Sequence, residues 1–473
     1  MKKLSELCRR IRIKDTNVCE DYYIEGISVD SAKVKENYIF VETEGNSAYT
    51  HEALKNGAVI VISQNMRDEI PCIKVENIRE SMSLMCSEFY DNPQSKLKII
   101  GVVGTNGKTS VTHILANIFR KVSKIAIIGT LGIWINDKKY DNNMTSPDSP
   151  ELFYYLMECV KNKVEYVFCE ITAHAIYFEK FYGIRTEMCV FTNISRDHLD
   201  FFETFEKYAD TKVKYFCREN MKFAVVNSDD KYGIEIINKS KLCSVSYGII
   251  HPSDVFAIDI SQKNGLNFII NAFDDIFYIK TKLIGKFNVY NILAAVAVAK
   301  LFGLKNEIIF NAINELEPIE GRLNIVNKKP LVVVDFAHSP DGLKNVLETL
   351  KEVVDGKIIS VFGCGGNRDK GKRPIMGMIG TTLSDVCIFT SDNPRFEDPG
   401  EIISDIVSGV GDAENFRIVE DRREAINFAI KIALPEDCVI ICGKGGENYI
   451  DVKGKKIPFN DKDICKKILE TVK

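Results

Sequence analysis

The sequence predicts an α/β protein of three domains, with a central parallel sheet of the P-loop type and a Rossmann-like C-terminal domain. Three observations predict it. The chain has 473 residues, against about 100–200 for a usual domain. Short apolar, β-rich runs alternate with amphipathic helical stretches along its whole length, the pattern of βαβ units. That alternation breaks twice, at the polar segment NPQSKLK (92–98) and around Gly321-Arg322, after which it restarts. The expected domains are therefore 1–96, 97–320 and 321–473.

In the first domain the runs GISVD, YIFVE, AVIVIS and CIKVE read as strands, followed by a helix from about Arg79 to Tyr90. The second opens on IIGVV, a glycine-containing turn, a helix expected from Ser110, and the strand IAIIG. Strands recur at EYVFCEIT, EMCVFTN and FAVVN, then come a β-rich stretch near 243–282 and a helix over 287–302. In the third, LVVVDF, KIISVFG, DVCIFTSD and CVIICGKGG alternate with helices over 340–354, near 374–384, near 401–408 and from Arg423.

Composition narrows the function classes. Hydrophobic residues make up 45% and charged residues 27%, the balance of a globular chain and not of a disordered or fibrous one. A formal charge of -4 gives no global attraction to nucleic acid or to an anionic membrane. The basic N-terminus lacks an apolar signal region, and no run of about 18 apolar residues exists to span a bilayer. A cytoplasmic location is expected. Fourteen cysteines without a CxxC pair read as reduced core thiols, not disulfides or zinc ligands.

The segment GTNGKTS (104–110) follows a strand and opens a helix. In that setting consecutive backbone N–H groups and a helix N-terminus wrap a polyphosphate. Gly104, Thr105, Asn106, Gly107 and Ser110 would form the cradle. Lys108 would reach the terminal phosphates, and Thr109 would offer its hydroxyl to Mg²⁺. Val102 stands where the full P-loop pattern has its first glycine. Glu170 ends the apolar run VFCE, where a carboxylate needs a partner or a metal. His198 in SRDHLD reads equally well as a loop histidine or a ligand. On a helix over 204–217, Lys212 shares a face with Phe205, Tyr208 and Phe216. Periodicity alone favours a lysine whose ammonium snorkels to water.

GTNGKT resembles the Mur ligase family, and further segments match in order. They are TSPD (145–148), CEITAHA (169–175), TNISRDHLD (192–200), GKFNVYN (285–291), Gly321-Arg322, VDFAHSPDGL (334–343), GCGGNRDKGKRP (363–374), DNPRFEDP (392–399) and GKGGE (443–447). The resemblance covers essentially the full length. It implies a cytoplasmic, monomeric ligase that uses ATP and two Mg²⁺ ions to join a carboxylate to an amine through an acyl phosphate. Within the family the chain is most similar to the branch adding the third stem-peptide residue, a diamino acid, to UDP-N-acetylmuramoyl-L-Ala-D-Glu. The partners implied are these small molecules, with no nucleic acid and no membrane.

Residue by residue, the resemblance implies Thr109 and Glu170 for the ATP-bound metal, and His198 with a carbamylated Lys212 for the second. Lys108, Lys212, His198 and Glu170 are the implied catalytic set. Asn193, Asn288, Arg322 and Asp335 match nucleotide contacts, and His338 is carried over beside them. Ser31, Thr145, Ser146, Thr172 and Lys180 match the UDP-muramoyl peptide site. Arg368, Asp392, Asn393, Arg395, Gly443 and Glu447 match contacts to the incoming amino acid. Meso-diaminopimelate differs from lysine by a distal carboxylate, which calls for a planar bidentate donor. The DNPR of diaminopimelate-adding members supplies that donor as Arg395.

The chain departs from the family at Gly446 (usually His), Thr172-Ala173 (commonly two serines), Ala32 (often Arg), Phe178 and Lys180. Lysine or another diamino acid, or a modified muramoyl peptide, stays open as substrate. Two further readings are a non-catalytic nucleotide-binding paralogue, disfavoured by the intact catalytic set, and a folylpolyglutamate-type ligase, disfavoured by DNPR and TSPD.

Overall fold

The computed structural model describes residues 1–142, 144–262 and 265–471; positions 143, 263–264 and 472–473 of the expected second and third domains lie outside the described residues. Three large sheets account for most strands. The first runs Ile13–Thr16, Cys72–Val75, Ala58–Ser63, Tyr38–Val41, Gly26–Ser28, parallel except at its Ile13–Thr16 edge. Its apolar core continues without a break into the next region. Met82 and Met85, on the helix Ile78–Phe89, share one cluster with Leu152 and Phe153 on the helix Ser149–Lys161.

The second sheet has eleven strands. Six consecutive pairings, from Ile125–Gly129 through to Val255–Ser261, are parallel, and both of its ends are antiparallel. Strand Lys98–Val103 lies between Tyr166–Ile171 and Thr186–Phe191. From it the chain builds outward first on one side and later on the other, so its carboxyl end is a topological switch point, where open α/β sheets bind ligands. All six residues of Tyr166–Ile171 are buried. This two-sided burial explains why these strands read as continuous apolar runs.

The third sheet orders Asn324–Lys328, Leu331–Asp335, Cys438–Cys442, Ile358–Phe362, Val386–Phe389, Phe416–Ile418, parallel but for its Asn324–Lys328 edge. Apolar clusters cover both faces.

Most expected elements stand within two or three residues of their places. The helix after the glycine turn starts at Lys108, two residues before the expected Ser110. Gly107, at φ 86°, makes the turn, so helical geometry begins where the N–H groups must converge. The helices Ser149–Lys161, Asn306–Asn314 and Asp461–Thr471, and the hairpin Tyr449–Val452/Lys455–Pro458, were not singled out by the pattern. Every cysteine is free and most are buried. Among the described residues no helix is long and apolar enough to cross a membrane.

Candidate active site

Three neighbouring strand ends bring the phosphate loop together. Gly104 leaves its strand so close to Thr192 that a Cβ would stand 1.8 Å from the Thr192 hydroxyl. The backbone N–H of Thr105 donates to the Asn193 carbonyl (2.8 Å), and that of Asn106 to the Asn193 side chain (2.9 Å). Lys108 Nζ folds back on the loop, donating to the carbonyls of Gly104 (3.0 Å) and Thr105 (2.8 Å). Desolvation holds its ammonium below the ordinary value, against the pull of Glu170 and Asp197.

Glu170 is wholly buried. Its carboxylate accepts from the Thr130 N–H (2.8 Å), the Thr130 hydroxyl (2.9 Å) and the Thr109 hydroxyl (3.0 Å). Gly129 leaves room for it, since a Cβ there would lie 2.2 Å from Glu170 Oε1. These oxygens lie beside the phosphate loop. Hard oxygen donors of this kind, completed by phosphate oxygens, fit a Mg²⁺ ion. Among the described residues no group of three or more His, Cys, Asp or Glu side chains is arranged to hold a metal by itself.

Lys212 is 1% exposed, on the helix Phe205–Phe216. The snorkelling geometry favoured by periodicity is therefore not the one adopted. Its Nζ donates to the Thr105 hydroxyl (3.1 Å) and to Tyr208 Oη, and lies 4.0 Å from the Tyr208 ring centroid. Burial first, and the Lys108 charge second, drive its ammonium well below the ordinary value. A neutral amine is thereby favoured. His198, at φ 54°, stacks edge-on against His174 at 4.8 Å. Desolvation pushes its imidazole down to about 3, the Asp197 carboxylate opposing.

Two clefts share the phosphate loop. One, of about 270 Å³, is lined by Asn106, Gly107, Ser110 and Asn193 from the central sheet and by Arg322, Asp335 and His338 from the third. It also takes in Asn227, Tyr290, Asn291 and Phe336, which the sequence reading missed. Asn288 stays outside this cleft's lining, donating to the Ile284 carbonyl and accepting from Asn291. The motif GKFNVYN carries both asparagines, and helical spacing turns the second toward the loop.

The other cleft, of about 350 Å³, joins Lys108, Thr109, Thr145, Glu170, Thr172 and His198 to Arg368, Asp392, Asn393, Arg395, Gly443 and Glu447. Asn393 donates to Glu447 (3.0 Å), and the buried Lys444 donates to both (3.0 and 2.9 Å). Lys444 was also missed, although it sits inside GKGGE. Gly443, at φ 115°, would press a Cβ to 2.5 Å from Asp392. Arg395, at φ 52°, spends one guanidinium N–H on the Gly366 carbonyl (2.7 Å).

Ser146, Thr172 and Lys180 form one knot. Ser146 Oγ donates to the Glu170 carbonyl (2.7 Å) and accepts from the Thr172 N–H (3.2 Å). Lys180 Nζ donates to the Ser146 carbonyl (3.1 Å) and pairs with Asp148 (2.9 Å). Ser31 sits apart on the first sheet's side, donating to Glu52. Phe178 carries the Arg79 guanidinium 4.6 Å from its ring centroid.

Residues 102–299 match the Mur ligase middle domain, and 321–445 match the Mur ligase, glutamate ligase domain. A UDP-N-acetylmuramoyl-L-alanyl-D-glutamate--2,6-diaminopimelate ligase of Clostridium acetobutylicum is 38% identical over 97% of this chain and 98% of its own. The ligase so named from Caldanaerobacter subterraneus is 40% identical over 94% and 95%. A solved structure of a ligase of that name aligns with a TM-score of 0.69 at 30% identity, covering 100% of this chain and 99% of its own. MurF from Acinetobacter baumannii, at 19% identity and a TM-score of 0.70, shares the fold. With matches spanning both cleft-forming sheets and relatives aligned end to end, the chain belongs to the Mur ligase family.

Proposed function

We propose that the chain is an ATP-dependent ligase of the MurE branch, adding meso-diaminopimelate to UDP-N-acetylmuramoyl-L-alanyl-D-glutamate in the synthesis of peptidoglycan precursors. One observation carries the reading: a single cleft holds the phosphate-loop residues Lys108 and Thr109 on one wall and Asp392, Asn393, Arg395 and Glu447 on the other. A phosphoryl donor and an amine would meet there. The names of the relatives point to the same reaction.

Amide formation from a carboxylate needs a better leaving group, which phosphorylation supplies as an acyl phosphate; the amine then attacks and phosphate departs. Charge neutralisation is the main catalytic demand. Lys108, in the loop itself, would meet the transferring phosphoryl group, and Arg322 brings a second cation from the other sheet. Asn193, Asn291 and Asp335 would serve the nucleotide, with Asn288 behind them holding Asn291 through its side-chain oxygen. Thr109 and Glu170 would hold one Mg²⁺, and His198 with a carbamylated Lys212 a second. Such ions screen phosphate charge and polarise the oxygens they bind. Burial that keeps the Lys212 amine neutral suits it to capture CO₂. Thr145, Ser146, Thr172, Lys180 and Ser31 would receive the muramoyl peptide. Arg368, Asp392, Asn393, Arg395, Gly443 and Glu447 would receive the amine.

The division at 96/97 and 320/321 is supported by sheets that fall wholly to one side of each point. A cytoplasmic monomer suits a soluble nucleotide substrate and free cysteines. The test is ADP release with the UDP-dipeptide and, separately, diaminopimelate, lysine, ornithine or lanthionine. Release that depends on the UDP-dipeptide and is fastest with diaminopimelate is expected. Preference for lysine overturns the amine, and no release with any amine overturns the reaction.

A further inference from the structure

We propose that Arg196 is a positioning residue that pins the amine-side loop 363–373 to the loop carrying His198, so that the amine pocket is complete only while the central and third sheets are held together. The inference rests on the ligase reading and adds a residue to it. Arg196 Nε and Nη2 donate to the two carboxylate oxygens of Asp369, at 2.9 and 3.1 Å, across 173 positions of sequence.

Four observations separate this pair from an ordinary surface ion pair, which contributes little. Asp369 is 7% exposed, and the contact is a two-pronged guanidinium–carboxylate fork, the strongest arrangement of these groups. Asp369 Oδ1 also accepts the Gly371 N–H at 2.9 Å, so the carboxylate shapes its own loop while it is gripped. Gly371 is the residue that leaves space for the fork, since a Cβ there would stand 2.4 Å from Arg196 Nη2.

The consequences reach the cleft through neighbours. Arg368, next to Asp369, lines the cleft and lies 3.8 Å from Asp200, on the short helix Leu199–Phe202 that follows His198. Lys372, one turn on, also lines it and donates to the His338 carbonyl at 2.8 Å. Releasing Asp369 frees the span between these two cations. Arg196 itself does not line either cleft, so its effect is transmitted through the loop. A buried carboxylate left without its partner would also drive the loop toward solvent.

The full-length protein is assayed as Arg196→Ala, Asp369→Asn, the double variant and Arg196→Lys. Each of the two single variants is expected to raise KM for the amine by roughly tenfold or more while KM for ATP changes less than about threefold, and the double variant to be no worse than the weaker single one, the signature of coupled residues. Arg196→Lys keeps the charge and one prong and recovers part of the loss. Hydrogen exchange, read with ADP bound, is expected to quicken in 363–373 and 195–200 of Arg196→Ala and to stay unchanged in the helix Lys108–Phe119. Losses that multiply in the double variant, equal losses for ATP and amine, or unchanged exchange in 363–373 would each overturn the proposal. Should the wild-type protein release no ADP with any amine, the ligase reading falls, while the exchange comparison still decides whether Arg196 pins the loop.

Discussion

Arg322 donates to the hydroxyl of Thr109 at 3.0 Å, and that hydroxyl in turn donates to Glu170 at 3.0 Å. A residue at the entrance to the third sheet thus touches the first turn of the phosphate-loop helix. The guanidinium rests on the Phe336 ring at 4.6 Å, which fixes its plane. Arg322→Ala should remove a cation from the phosphate region and loosen the contact between the two sheets. A loss on the order of 2–4 kcal/mol in kcat/KM for ATP is expected; steady-state kinetics at saturating amine measure it.

Lys108→Ala should abolish turnover, by on the order of 3 kcal/mol or more in the barrier, because no other lysine lies in the loop to meet the transferring phosphoryl group. Near-normal ADP production by the folded variant would refute the assignment of GTNGKTS.

Lys212→Ala should inactivate the enzyme, and small carboxylic acids should restore part of the activity by occupying the place of a carbamate. Among the described residues the hydrogen-bond partners of its Nζ are two hydroxyls, those of Thr105 and Tyr208, and truncation to Ala would give the space of the buried side chain to such an acid. Full activity without any additive would remove Lys212 from the mechanism.

Arg395→Ala should cost about 2–5 kcal/mol in kcat/KM for diaminopimelate and far less for lysine, which lacks the distal carboxylate. One guanidinium N–H is held by the Gly366 carbonyl and Nε lies 3.9 Å from the Asp451 carboxylate, so a substrate carboxylate would meet the remaining edge of the fork. Equal losses for both amines would mean that Arg395 only supports its turn.

Arg373, whose side chain is fully buried, is pinned by Glu397 at 3.0 Å through two nitrogens and by Asp405 at 2.8 Å. The hydrogen bonds from Arg373, with burial opposing, bring Glu397 from an ordinary 4.5 down to about 2. A carboxylate depressed on folding stabilises fully above its unfolded value, and that stability is lost as pH falls from about 4.5 through about 2. Glu397→Gln should destabilise the protein by about 1–3 kcal/mol near neutrality and flatten the acid limb of thermal stability. Melting curves between pH 7 and pH 3 test both.

The phosphate loop was legible because its chemistry demands particular residues at consecutive positions, and so was the alternation of buried strands that presents it. Residues that act through distant partners were not. Asn291 acquires its place from helix rotation, Lys444 from a partner 51 positions away in Asn393, and the Arg196–Asp369 fork from two loops on different sheets. The burial of Lys212 is a third kind of case. Helical spacing placed it among aromatic groups, yet only the packing of Tyr208 and Thr105 around its tip decides that the amine stays inside. Ser31 matched by motif alone, and the fold sets it apart from the Ser146–Thr172–Lys180 knot.

The clefts described above borrow one wall from the central sheet and the other from the third, and this makes the chemistry conditional. A chain whose third sheet has swung away retains the phosphate loop but lacks Arg322 beside Thr109, the pocket wall carrying Asp335, and the cleft wall of Asp392, Asn393, Arg395 and Glu447. Such a chain is expected to hydrolyse ATP slowly, so that idle breakdown stays low until both walls are in place. The same division is expected to work against speed, since products held between two walls leave only when the walls part, a step that limits turnover in many enzymes of this design.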